Sequence, residues 1–273
     1  MSGASWKLSR LRAMSPREVL RRGSIALRDR MTPPAYLRWG PEEAFERLFP
    51  AGRGAAFEHS RLAALIPPLG LAPDAFVVSA AAAIAAGRLS LFGSAVRLDD
   101  PPRWRANPVT RSEWPDRPSA AIDYRTPGAA GDPKYAWELG RLTFLPPLAL
   151  AWRMTGDRAY AERAARWLES FTYANPMGHG IHHTSGIEMA VRVITTTWTL
   201  ALLAGSGVEE RLAPALGLAI QQALYCRDHL SLGSSANNHL IAECAAMTVA
   251  GAMFPTLRGA PAMLARGFAG LER

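Results

Sequence analysis

The sequence predicts an all-α fold of antiparallel helix hairpins behind an irregular N-terminal extension. Three observations carry this. From Pro133 onward, apolar segments of helical length alternate with short breaks rich in Gly, Ser, Asn and Pro. Segments open on capping signatures such as Ser15-Pro16 and Asp132-Pro133, where a side-chain oxygen meets free amides and proline occupies the first turn. Runs such as Val77 to Ala86 and Leu142 to Trp152 have the composition of packed helices. Helices of this length with few connecting residues form hairpins. Periodicity alone leaves open whether the hairpins stack as a solenoid or close into a ring.

The elements follow in order. Ser15-Pro16-Arg17-Glu18 starts a helix that runs to about Arg30, with Glu18 expected to reach back to the cap before Pro33-Pro34 stops it. Arg17, Arg21, Arg22, Arg28 and Arg30 make this helix basic, and a solvated face is the simplest reading. Pro33 to Pro67 looks irregular. A helix is expected over Asp74 to Gly87, followed by strand-like character over Leu89 to Leu98. Asp99 to Pro133 is rich in Pro, Asp, Arg and Trp, a surface wrap anchored by Trp104, Trp114 and Tyr124. Helices are then expected over Pro133–Thr155, Arg158–Tyr173, Ser185–Ala204, Glu209–Leu230, Asn238–Phe254 and from Ala260 to the end, with Trp152, Trp167 and Trp198 in the core. The natural division is 1–131, the extension and wrap, and 132–273, the hairpins, unless the two form one continuous domain.

Composition narrows the function. At 49% apolar and 20% charged residues the chain is globular. The net charge is 31 − 23 = +8, which fits a polyanionic partner. All basic residues except Lys7 and Lys134 are arginine, so coding bias contributes to this balance. No zinc-finger spacing, aromatic RNA-binding signature or dense basic helix points to nucleic acid. Cys226 and Cys244 make no CxxC pair and read as buried thiols. The basic N-terminus has no apolar core of signal-peptide length, and the most apolar helices carry Pro146-Pro147 or Glu188 and Arg192, which argues against a membrane span.

Three segments carry a resemblance. They are Asp132-Pro133-Lys134-Tyr135-Ala136-Trp137-Glu138-Leu139-Gly140-Arg141, then Gly180 through Arg192 (GIHHTSGIEMAVR), then Ser235-Ala236-Asn237-Asn238-His239-Leu240-Ile241-Ala242-Glu243. In order and spacing they resemble the heparinase II/III-like polysaccharide lyases, and the opening Leu11-Arg12-Ala13-Met14-Ser15-Pro16 is similar to some members. The middle segment departs from the family pattern, with His182 where Asn is usual and His183 where Trp is usual. The resemblance implies an incomplete (α/α) toroid and a groove for an acidic polysaccharide, with no cofactor.

Such lyases abstract the C5 proton of a uronic acid and expel the C4 oxygen, which requires the neighbouring carboxylate to be neutralised or strongly hydrogen-bonded. The resemblance gives that role to Asn238, with His239 as base or as a hold on the intermediate. It makes His182, His183, Asn237, Lys134 and Arg141 substrate-lining candidates. From spacing alone, Asn237-Asn238-His239 is a helix cap. His179, His182 and His183 lack a carboxylate or cysteine at ligand spacing, so no metal site is expected. Glu188 and Arg192 lie four apart and read as a structural ion pair, while Trp137, Glu138 and Arg141 read as packing and tethering residues.

The family's catalytic tyrosine and its C-terminal β-sandwich lie beyond the matching segments. The expectation is therefore an N-terminal portion missing its C-terminal half, inactive and marginally stable alone. Family members work in the periplasm or outside the cell, whereas the absent signal peptide points to the cytoplasm. Two competing functions are a non-catalytic carbohydrate-binding scaffold and a toroid glycoside hydrolase. The latter needs two carboxylates, for which Asp123 and Glu188 are unremarkable candidates.

Overall fold

The computed structural model describes residues 14–58, 74–126, 128 and 130–272. Helix α1 spans Pro16–Met31, with Ser15 accepting the Glu18 N–H at 3.2 Å. Glu18 does not reach back to the cap as expected. Its carboxylate crosses instead to Ser234, over two hundred residues on.

The segment read as irregular after Pro33 contains helices. A 3₁₀ turn at Ala35–Arg38 leads to α2 (Pro41–Leu48) and α3 (Gly52–Glu58). The signal was present: Gly40-Pro41-Glu42-Glu43 is a proline start with acidic residues in the first turn, and Ala44, Phe45 and Leu48 form a buried stripe. Residues 59–67, the rest of that stretch, lie outside the described residues. Helix α4 (Ala75–Ala85) starts on Asp74, which accepts the Phe76 and Val77 amides, and a two-stranded antiparallel hairpin follows, β1 (Arg88–Leu91) with β2 (Ser94–Arg97).

The wrap from 99 to 133 is largely irregular, and its aromatic anchors pack as expected. Trp104 stacks with Phe144 and meets Phe171 edge-on, while Trp114 belongs to a small buried cluster with Ile122 and Ile181. Asp100 adds a polar anchor on the helix Arg158–Ala174: it accepts the Trp167 indole N–H at 2.7 Å and pairs with Arg163 and Arg166.

The regular half comprises α5 (Pro133–Gly140), α6 (Leu145–Thr155), α7 (Arg158–Ala174), α8 (Gly186–Leu203), α9 (Ala213–Asp228), α10 (Asn238–Met253) and α11 (Ala260–Leu271). The helix expected over Pro133–Thr155 is two. Arg141 caps the first, Leu142 takes a positive φ of 60°, and Pro146-Pro147 occupies the opening turn of the second. The stretch expected to start a helix at Glu209 is a 3₁₀ turn, and Pro214 sits in the first turn of α9. Successive hairpins α6/α7, α8/α9 and α10/α11 pack side by side, with α8 touching α6, α9 and α10.

Helix α9 is buried nearly all round, because α2 covers its far side. The two backbones approach so closely at Gly217 that a Cβ there would collide with the Pro41 carbonyl and the Phe45 backbone. Trp167 is fully buried, but Trp198 is 43% exposed, so it is not the core residue expected. Cys226 and Cys244 are buried thiols with no disulfide between them, as expected. Among the described residues α8 alone is long and apolar enough to cross a membrane, and 67% of it is buried inside this fold.

Candidate functional site

Four stretches distant in sequence meet at a cleft of about 850 Å³. Helix α1 supplies one wall with Arg21, Arg22 and Asp29, and the wrap supplies another with Tyr124 and Arg125. The remaining lining comes from Thr184, Ser185 and Gly186 at the start of α8 and from residues between His229 and His239. The lining carries three arginines and two histidines against one carboxylate. That carboxylate, Asp29, is already engaged by Arg28 at 2.6 Å and His229 at 2.7 Å. Low-dielectric walls focus such positive charge toward an anionic ligand.

The turn that opens α10 is built by Asn237. Its side-chain oxygen accepts the His239 N–H at 3.1 Å, the cap expected from spacing. Asn237 and His239 both line the cleft. Asn238 is exposed on the same turn, outside the cleft lining.

The other sequence-derived candidates lie elsewhere. His182 is fully buried: Nε2–H donates to the Trp104 carbonyl at 2.8 Å, and the ring packs against Phe171. His183 donates from Nδ1 to the His179 carbonyl at 2.9 Å and accepts at Nε2 from Gln222 at 3.1 Å. Both rings are therefore neutral. Burial and then Arg192 push His182 well below the usual histidine range and His183 down to about 3. Lys134 is exposed, with Nζ 3.9 Å from Asp132, and does not line the cleft. Arg141 is half-buried and bound to Glu138 and Glu188. Among the described residues no three His, Cys, Asp or Glu side chains gather as metal ligands.

These buried residues brace the turn that leads into Thr184. Glu188 binds Arg141 and not Arg192, which corrects the expected pair. Arg192, 2% exposed, donates from Nε to the Gly140 carbonyl at 2.5 Å and from an Nη to the His182 carbonyl at 3.1 Å. It thus joins the end of α5 to the turn at Ile181–His183, and burial lowers its guanidinium to about 9 against the pull of Glu188. Trp137 donates to the Ile181 carbonyl at 3.0 Å and to Thr184 at 3.2 Å, the tether its motif suggested. Sequence reasoning missed Arg21, Arg22, Tyr124, Arg125 and His229 as lining residues. The signal for α1 was the stripe Glu18, Arg22, Ile25, Asp29, spaced 4, 3 and 4, which is one inward helical face.

Residues 99–273 match the family described as Heparinase II/III N-terminus. The chain belongs to this family. It is a polysaccharide lyase-related protein, and its hairpins form the family's (α/α) toroid region. The heparan sulfate lyase HepC from Pedobacter heparinus, in a mutant form, is 20% identical with a TM-score of 0.58, covering 76% of this chain and 30% of its own. A heparinase III gene product with methylated lysines is 19% identical with a TM-score of 0.58, covering 76% of this chain and 32% of its own. This heparinase II/III-family chain thus spans about a third of the length of these solved structures. No curated protein matches it. Helix α1, which forms one wall of the cleft, lies outside the residues matched to the family.

Proposed function

We propose that this chain is the N-terminal helical part of a lyase that cleaves uronic-acid-containing polysaccharide by β-elimination, the polymer lying in the basic cleft. One observation carries the reading: Asn237 and His239, from the segment resembling the family's Asn-His motif, line a cleft rimmed by Arg21, Arg22 and Arg125. The arginines attract the repeating anions of the polymer. His239 takes the C5 proton while the C5 electron pair forms the C4=C5 double bond. The C4–O bond breaks, and the leaving oxygen takes a proton from solvent water. Asn238 hydrogen-bonds the uronate carboxylate, whose charge would otherwise oppose the carbanion; a neutral amide does this without competing as an acid. The fold neighbours are named as a heparan sulfate lyase and a heparinase III, which fits an acidic polymer.

One observation favours a second reading, a non-catalytic binding scaffold: Asn238 stands outside the cleft lining. Incubating the full-length protein and its His239→Ala variant with heparan sulfate and with polyuronates separates the two. An unsaturated product lost in the variant supports elimination. Retained binding without product supports the scaffold, and a saturated reducing sugar would mean hydrolysis. Turnover by residues 1–273 alone would show that these residues suffice for the chemistry.

A further inference from the structure

The segment that delivers Asn237 and His239 to the cleft is held from both sides by buried carboxylates. Glu18, on α1 and 6% exposed, accepts the Ser234 N–H at 3.0 Å and the Ser234 hydroxyl at 2.7 Å. Glu243, on α10 and 1% exposed, accepts the Ser231 N–H at 2.7 Å and the Ser231 hydroxyl at 2.7 Å. The two serines, three residues apart, are gripped in the same bidentate way.

Each carboxylate also fits against a glycine. A Cβ on Gly233 would lie 2.5 Å from Glu18 Oε2, and one on Gly186 would lie 2.5 Å from Glu243 Oε1. Gly233 has a φ of 74°, so its lack of a side chain serves both the turn and the carboxylate. Carboxylates accepting two hydrogen bonds are charge-assisted anchors, stronger than neutral contacts. The Ser234 bonds hold the Glu18 carboxyl below the usual range, while burial raises that of Glu243 despite the Ser231 bonds. A loop between helices ordinarily has freedom to lose, and here its backbone amides at 231 and 234 are fixed to α10 on one side and α1 on the other.

We propose that Glu18 and Glu243 are positioning residues that clamp Ser231–Ser234 and thereby fix the Asn237–His239 turn against the cleft. Helix α1, beyond the residues matched to the family, is on this view an integral part of the site. The clamp stands on the geometry alone; its effect on elimination rests on the function proposed above.

Hydrogen exchange on the full-length protein tests the clamp. Glu18→Ala and Glu243→Ala are expected to speed amide exchange in peptides covering 230–239 by about tenfold or more, leaving α7 within about twofold. The Gln variants keep an acceptor for each serine amide and are expected to restore most of the protection. The His239 ring proton signals should shift and broaden in the alanine variants and return in the Gln variants. Against heparan sulfate, kcat is expected to fall about 10- to 100-fold with KM nearly unchanged. Should an alanine variant fail to fold, Ser231→Ala and Ser234→Ala each remove one hydroxyl bond and are expected to give a smaller loss of protection in the same peptides. Unchanged exchange at 230–239 and an unmoved His239 signal would overturn the clamp. If the wild type does not cleave heparan sulfate, that failure bears on the elimination reading, while exchange and the His239 signal still decide the clamp.

Discussion

Glu188 on α8 binds Arg141 through both of its carboxylate oxygens, at 2.8 and 3.0 Å, and leaves Arg192, one turn along its own helix, to two backbone carbonyls. Two arginines thereby tie the end of α5 to α8 by different means. Arg141 brings its charge to a carboxylate, and Arg192 satisfies the Gly140 and His182 carbonyls, with its guanidinium over the Phe171 ring at 4.8 Å.

This division has a measurable cost when broken. Removing Arg141 leaves Glu188, 2% exposed, as a buried charge without its partner. Arg141→Ala is expected to destabilise the fold by about 3 kcal/mol, near the low end for a broken buried pair because Arg141 itself is partly exposed. The double variant Arg141→Met/Glu188→Gln should recover much of that loss. Urea midpoints of the wild type, Arg141→Met, Glu188→Gln and the double variant give the coupling; an Arg141→Ala cost equal to that of the double variant would contradict the pairing.

The buried histidines set a direction for pH dependence. His183 is held to about 3 by burial and by Arg192, far below an unfolded histidine near 6.5. A depressed folded value means that the contribution to stability is complete above about pH 6.5 and is lost as pH falls toward 3. His182 acts in the same direction. The His183→Gln variant can still donate to the His179 carbonyl and accept from Gln222. Its unfolding midpoint is expected to decline less than that of the wild type between about pH 6.5 and 4. Parallel acid limbs would show that protonation of His183 does not drive the loss.

Much of the fold was legible because caps and hairpin breaks are local chemistry. Asp74, Asp132 and Asp157 each cap the helix that the sequence suggested, and the breaks at Gly156 and Gly205 fall as expected. Misreadings arose where tertiary contacts decide. The side-chain partners of Glu18 and Arg192 are far away in sequence or are backbone carbonyls, which motif spacing does not encode. Helix α1 inverts ordinary amphipathicity: Leu20, Leu27 and Met31 are exposed, while Glu18, Arg22 and Asp29 face the cleft side. A basic helix with that pattern reads as solvated until its partner loop is seen.

Arg21 follows from this inverted helix. Among the described residues no carboxylate pairs with it, whereas Arg22 is bound to Glu18. Arg21→Ala is therefore the cleaner probe of the cleft. If the cleft holds an acidic polymer as proposed, the variant's affinity for heparan sulfate is expected to fall about 3- to 10-fold at low ionic strength, with the difference shrinking as salt screens the charge. Leu27→Ala, on the outward face, should leave affinity unchanged. Titration calorimetry at two salt concentrations checks this, and equal effects of both substitutions would place the polymer away from the cleft.

The two adjacent asparagines separate folding from chemistry. The Asn237 side chain is committed to the His239 amide, so Asn237→Ala is expected to cost about 1 kcal/mol of stability as a lost helix cap. Asn237→Asp or Ser keeps the cap and should restore it. Asn238 makes no such bond and is exposed, so Asn238→Ala should leave the unfolding midpoint nearly unchanged. If Asn238 neutralises a uronate carboxylate, the same substitution is expected to lower kcat by about 10²- to 10³-fold, the scale of losing one donor to a developing negative charge. Thermal unfolding and turnover of full-length Asn237→Ala and Asn238→Ala should therefore diverge. A loss of turnover confined to Asn237→Ala would move the carboxylate-binding amide to the residue that lines the cleft.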